Sequence, residues 1–171
     1  MTGYAAFFTN TTDYYVGDAP WSWAMLPSLR HAMTTYPHTP YVFYLEATGL
    51  IMRPQLSINE HIMNKEKLES LMIVDHPVVP PDSVIHTFSH LKGDRIDVVL
   101  TQDSEGLSPQ SMVIRTGDWA KYFLDAWFDP IYRSYNFQKA ERHALEHIVQ
   151  YVKSPKHDRD GSQGSASTRV V

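Results

Sequence analysis

YVFYLEATGLIMRP, residues 41–54, decides how the rest of the chain is read. Its first five residues are apolar or aromatic without a polar interruption. That is the composition of a strand buried on both faces, as in a parallel sheet covered by helices. The run stops at a single carboxylate, Glu46. In open α/β sheets ligands bind in the crevice outside the carboxyl ends of the strands, so an acid at this point stands where chemistry happens. The alternative for Glu46 is a solvated loop carboxylate.

Working outward, Pro27 followed by Leu29, Ala32, Met33 and Tyr36 predicts a helix that tolerates proline in its first turn and ends by Pro37. RIDVVLTQD, residues 95–103, is a second strand that ends in an acid, Asp103, and SMVIRTG, residues 111–117, is its neighbour. Asp118 stands near the cap of a helix that carries Ala120, Phe123, Leu124 and Trp127 at helical spacing and stops at Pro130. A last helix, from about Asn136 to Val152, turns Phe137, Ala140, Ala144, Leu145, Ile148 and Val149 to one broad face. Strands and helices alternate, which argues for α/β layers. No repeat or linker interrupts Tyr4 to Val152, whereas KSPKHDRDGSQGSASTRVV is polar and rich in Ser, Gly and charge. One domain over residues 1–152 and a disordered tail over 153–171 are expected.

Composition excludes several classes. A chain of 171 residues with 43% hydrophobic and 20% charged residues suits one globular domain. A formal charge of -4 gives no basic footprint for nucleic acid. With no cysteine there is no disulfide and no thiolate metal site. No stretch approaches the roughly 18 apolar residues of a membrane span, and MTGYAAFFTNTTDYY lacks the features of a secretion signal. As a sequence, this reads as a soluble chain. Asn10-Thr11-Thr12 is a sequon for N-glycosylation, compatible with a lumenal domain.

His143-Ala-Leu-Glu146-His147 matches the H-x-x-E-H spacing of inverted zinc peptidases, with two imidazoles one turn apart. Catalytic zinc needs a third protein ligand and an open position for water. After His147 the only acids are Asp158 and Asp160, both in the polar tail. A helix with polar residues along a groove or its solvent side explains the match with less.

Five stretches, in order, carry a resemblance that spacing does not supply. They are PHTPYVFYLEATGLIM, DHPVVPPDSVIHTFSHL, VVLTQDSEGLSPQSMVIR, WAKYFLDAWFDPIYRSYNFQKAE and HALEHIVQ. The run from His38 to Gln150 resembles glycosyltransferase family 34, in particular the fungal Golgi α-1,6-mannosyltransferase subunits of the mannan polymerase complex. The resemblance implies an α/β fold of GT-A type, with a Rossmann-like sheet that binds a nucleotide sugar. It also implies retaining transfer of mannose from GDP-mannose to the mannan chain of an N-glycan. Manganese as cofactor, other mannan polymerase subunits as partners and the lumenal face of the Golgi membrane follow from the same likeness.

By that resemblance, Glu46-Ala47-Thr48 occupies the place of an Asp-x-Asp element whose carboxylates hold a hard divalent cation. Glu46 remains a metal ligand, while Thr48 offers only a hydroxyl. A pattern similar to Q-D-x-x-G-L-x-x-G-S-F reads here as Gln102-Asp103-Ser104-Glu105-Gly106-Leu107-Ser108-Pro109-Gln110-Ser111-Met112. Gln110 replaces a glycine, and is expected to obstruct the pocket or strain a turn. An E-Q-x-A element reads Glu141-Arg142-His143-Ala144, with a donor-only guanidinium in place of an amide. The likeness implies Asp103 and Glu141 as catalytic residues, and Glu46, Thr48, Gln102, Gly106, Ser111 and His147 as donor or acceptor ligands. It also implies relatives with an anchor and nucleotide-binding strands before this chain's start, and a further histidine ligand after its end. The expected domain is therefore incomplete at both ends, with an exposed sheet edge and no membrane anchor of its own. The rival expectation is a noncatalytic subunit or remnant that only binds polymerase partners.

Overall fold

The strand at Tyr41–Leu45 (β1) finds its partner far along the chain and in the opposite direction. In the computed structural model, which describes residues 3–79, 83–135 and 137–153, β1 pairs antiparallel with Gly106–Arg115 (β3), Tyr41 opposite Arg115 and Leu45 opposite Ser111. Val98–Asp103 (β2) pairs antiparallel with the other side of β3. The sheet order is β1-β3-β2. β1 is therefore not a strand of a parallel sheet, as its composition suggested, but the edge of a small antiparallel one.

The composition was nevertheless a sound guide to burial on two faces. Val42 and Tyr44 pack on a large cluster that includes Met112 and Ile114 of β3. Tyr41 and Phe43 pack on a second, smaller cluster around Met63, Leu68, Ile96 and Val113. An apolar run without alternation results whenever both faces are covered, whichever way the neighbour runs. All five residues of β1 stay half-buried, because only one of its edges is paired.

The helices form the two covering layers, so the fold is mixed α/β. Met25–Thr35 (α1) starts two residues before Pro27, whose missing N–H falls in the first turn where no partner is needed, and it ends before Pro37 as expected. Ile58–His61 (α2) and Lys65–Leu71 (α3) cover the smaller cluster. Asp118–Trp127 (α4) buries all four apolar residues that its spacing marked. Its cap is Gly117, so Asp118 lies inside the first turn, where a negative charge suits the helix dipole. Pro130–Ser134 (α5) begins with proline in its first turn.

Ala140–Lys153 (α6) starts later than its periodicity indicated; Asn136, where the helix was expected to begin, lies outside the described residues. Ala140 has φ +43°, a left-handed conformation that cannot continue a helix backward. Of the tail expected to be disordered over 153–171, Lys153 instead closes α6, and residues 154–171 lie outside the described residues. Among the described residues no helix is long and apolar enough to cross a membrane.

Two local devices shape the sheet. Asp103 Oδ1 accepts the N–H of Glu105 at 2.8 Å and turns β2 into β3, with Gly106 at φ +123°. Register then shifts between Leu100, opposite Met112, and Thr101, opposite Ser108, so Pro109, Gln110 and Ser111 bulge from the β2 ladder. A proline, which cannot donate a ladder bond, is at home there. Gly106 is buried under α6, where a Cβ would overlap Glu146 Oε1. Gly106→Ala is expected to lower stability by about 1–3 kcal/mol from its φ alone, with further loss from the overlap. Urea unfolding checks this, and a midpoint equal to that of the parent chain would refute the close approach.

Candidate functional site

β1 and β2 run in the same direction on either side of β3, so the two strand-end acids, Glu46 and Asp103, reach the same end of the sheet. α6 packs across that end and contributes Glu141, Arg142 and Glu146. Two groups result, one on each side of the helix's first turn.

The first group gathers on Tyr44. By the alternation of a strand, Glu46 shares the face of Val42 and Tyr44, and its N–H donates to Gln110 O at 2.9 Å. Burial raises the pKa of Tyr44, and the nearby charges of Glu46 and Glu141 raise it further. Glu141 Oε2 accepts a hydrogen bond from Ser22 Oγ at 2.5 Å, and Glu141 O accepts one from Trp127 Nε1 at 2.8 Å. No cation lies within ion-pair distance of Glu46 or Glu141 among the described residues. Thr48 is exposed in the turn that follows.

The second group centres on Arg142. Its guanidinium pairs with Asp103 at 2.5 Å and lies 3.7 Å from Glu146, whose side chain is only 9% exposed. Lys139 pairs with Glu105 at 3.0 Å beside them. The Arg142 hydrogen bond, with the backbone N–H of Glu105 second, holds the Asp103 carboxyl below the usual aspartate range. Arginine in place of an amide is thus matched by two carboxylates. Arg142 Nε and Glu146 Oε1 remain buried without a hydrogen-bond partner.

Most of the other expected residues lie on β2, β3 and α6. Gln102 Nε2 donates to Pro77 O at 2.7 Å and Val78 O at 2.9 Å, clamping the 76–79 segment to β2. Ser111 sits half-buried in the bulge opposite Leu45. Gln110 is exposed and lies in an extended strand rather than a strained turn; its carbonyl receives the Glu46 N–H, so the expected strain is absent. His147 is exposed with its ring 5.8 Å from Tyr132, and His143 faces Phe137 at 6.3 Å. Glu146 turns instead toward Gly106 and Arg142. The H-x-x-E-H residues therefore divide between two faces of α6, and no three His, Asp or Glu side chains converge to hold a metal among the described residues. Asn10 is exposed, and its side chain accepts the N–H of Thr12 at 3.2 Å.

The same test bears on manganese. A hard cation takes about six oxygen ligands, and this end of the sheet offers Glu46, with Glu141 across Tyr44. The described residues supply part of a coordination sphere and do not complete one. A groove of about 390 Å³ between α1 and α4, lined by Leu26, Pro27, Arg30, Leu124, Asp125 and Phe128 among others, contains none of the acids above. Arg30 and Asp125 pair across it at 3.0 Å, so its polar groups already have partners.

Ser22, Tyr44 and the pairing of Arg142 with Asp103 had no local signal, since Ser22 meets Glu141 across 119 residues and Arg142 meets Asp103 across 39.

The galactosyl transferase GMA12/MNN10 family model matches residues 1–157. An uncharacterized alpha-1,2-galactosyltransferase of Schizosaccharomyces pombe is 31% identical over 129 residues, covering 75% of this chain and 39% of the relative. A second from that yeast is 30% identical, covering 78% and 37%. A probable alpha-1,6-mannosyltransferase, MNN10, of Saccharomyces cerevisiae is 26% identical, covering 64% and 28%. The chain thus spans about two-fifths or less of the length of these relatives. No solved structure matches.

Arg142→Gln is expected to raise the titration midpoint of Asp103. A carboxyl whose folded pKa is depressed adds stability above its ordinary value of about 3.8, and that contribution is lost as pH falls through the lower folded value. The variant should therefore lose the acid-range part of its stability profile. Carboxyl-detected NMR of Asp103 reads the shift directly, and an unchanged midpoint would remove Arg142 as its cause.

Proposed function

The chain belongs to the galactosyl transferase GMA12/MNN10 family, and from that premise we propose that it carries part of a nucleotide-sugar hexosyltransferase domain of GT-A type. The transfer is the retaining transfer of mannose from GDP-mannose to the mannan chain of an N-glycan, at the lumenal face of the Golgi membrane and among other mannan polymerase subunits. The observation that supports it most is that the strand-end acids Glu46 and Asp103 reach one end of the sheet, where α6 brings Glu141 and the Arg142 that pairs with Asp103.

Each residue then has a task. Asp103, an acceptor-only group when ionised, receives the hydrogen bond of an acceptor hydroxyl, and Arg142 fixes its direction. Glu141, held by Ser22, faces the sugar from α6. Glu46 would give one oxygen to a manganese ion, which if bound would offset the charge of the diphosphate. Tyr44 stays protonated between the two acids and can donate to a sugar or phosphate oxygen.

One feature favours a second reading, a subunit that only binds its partners. Thr48 offers a neutral hydroxyl where a second carboxylate would strengthen the ion's hold. Calorimetric titration of GDP-mannose into the chain, with manganese and then in chelated buffer, separates the two. Manganese-dependent micromolar binding is expected, weakened at least about tenfold, or 1.4 kcal/mol, by Glu46→Gln. A folded sample that binds no donor would leave the partner-binding reading standing.

A further inference from the structure

We infer that Trp21 is a stacking platform for a hexopyranose ring of the glycan acceptor, next in the chain to the serine that holds Glu141. The inference rests on the proposed function and adds a subsite to it. Trp21 opens a short 3-10 turn, Trp21–Ala24, capped by Pro20 at φ −53°. The next residues anchor that turn, since Trp23, Ala24 and Leu26 are each 1% exposed. Trp21 itself is 57% exposed, against 0% for Trp127. Tryptophan is highly buried on average, so an open indole on a rigid base departs from its usual role.

Position supplies the second observation. Ser22, about 3.8 Å along the chain from Cα to Cα, donates its hydroxyl to Glu141. Trp21 thus stands one residue from the contact to Glu141, a carboxylate that has no cation within ion-pair distance among the described residues.

The chemistry of that pairing suits a pyranose. One face of a hexose presents C–H groups, which the negative face of an aromatic ring attracts. Its hydroxyls meanwhile donate to carboxylates, which only accept. A neutral sugar meets both needs without a counterion. A nucleotide's diphosphate is repelled by the same acid, so the bare platform selects the acceptor over the donor.

The test titrates α-1,6-mannotriose, without nucleotide or metal, into the full chain, followed by tryptophan fluorescence and saturation-transfer NMR. Saturable binding is expected. Trp21→Ala should weaken it by about threefold to tenfold, the range of a lost aromatic stack, while Trp21→Phe keeps most of it. Guanosine diphosphate with manganese forms the second arm, and Trp21→Ala should leave that arm unchanged. Loss in the guanosine diphosphate arm instead would assign the stack to the nucleobase and overturn the proposal. Equal mannotriose binding by the parent chain and Trp21→Ala overturns it too, as does a parent chain that binds no mannotriose. Neither result touches donor binding, which the second arm reports by itself. Trp21→Leu, apolar without a ring, gives the same comparison if the alanine variant does not fold.

Discussion

A buried carboxylate fixes the end of this molecule where its acids meet. Glu146 lies under the β2–β3 turn with its side chain almost wholly removed from water, a placement that is costly unless a positive partner joins it. Arg142, one helical turn earlier, is that partner. The helix can settle on the turn only because Gly106 has no Cβ to meet the carboxylate. With the turn seated, Asp103 comes into reach of the same guanidinium. Glu141, the residue before Arg142, then projects to another side, toward Ser22 and Tyr44. Two clusters of acids, one on each flank of α6, thus follow from one packing requirement.

Strain at the start of α6 belongs to the same arrangement. Ala140 holds a left-handed φ, which costs of order 1–3 kcal/mol for a non-glycine residue and persists only where surrounding contacts compel it. Here Ala140 packs against the main core, and Trp127 donates to the carbonyl of Glu141. These contacts set the direction in which the helix begins.

The sequence exposed those features that depend on local composition. The unbroken apolar run of β1 reported two covered faces, and the acids that end β1 and β2 reported where those strands stop. Helices α1 and α4 were legible in the spacing of their buried residues. Strand direction was not, because burial on both faces leaves the same composition in parallel and antiparallel sheets. The start of α6 was hidden for a different reason: Ala140 is an ordinary helix former, and only its neighbours force φ positive. The H-x-x-E-H match shows the limit of spacing as a guide. Its three side chains share one helix, but the demand for Arg142 draws Glu146 inward while the histidines meet aromatic rings.

Arg142 is best judged by charge as well as by shape. An amide at that position would leave Glu146 buried beside a neutral group and Asp103 without its nearest cation. Guanidinium hydrogen-bonds Asp103 and gives Glu146 a counter-charge at 3.7 Å, so it is engaged by protein carboxylates rather than left free for a phosphate. Glu46 and Glu141 gain nothing from it, since they sit on the opposite flank against Tyr44. Among the described residues neither Glu46 nor Glu141 has a cation within ion-pair distance, so a neutral hydroxyl-bearing group can meet either acid without a counterion, whereas an anion would have to bring a cation with it.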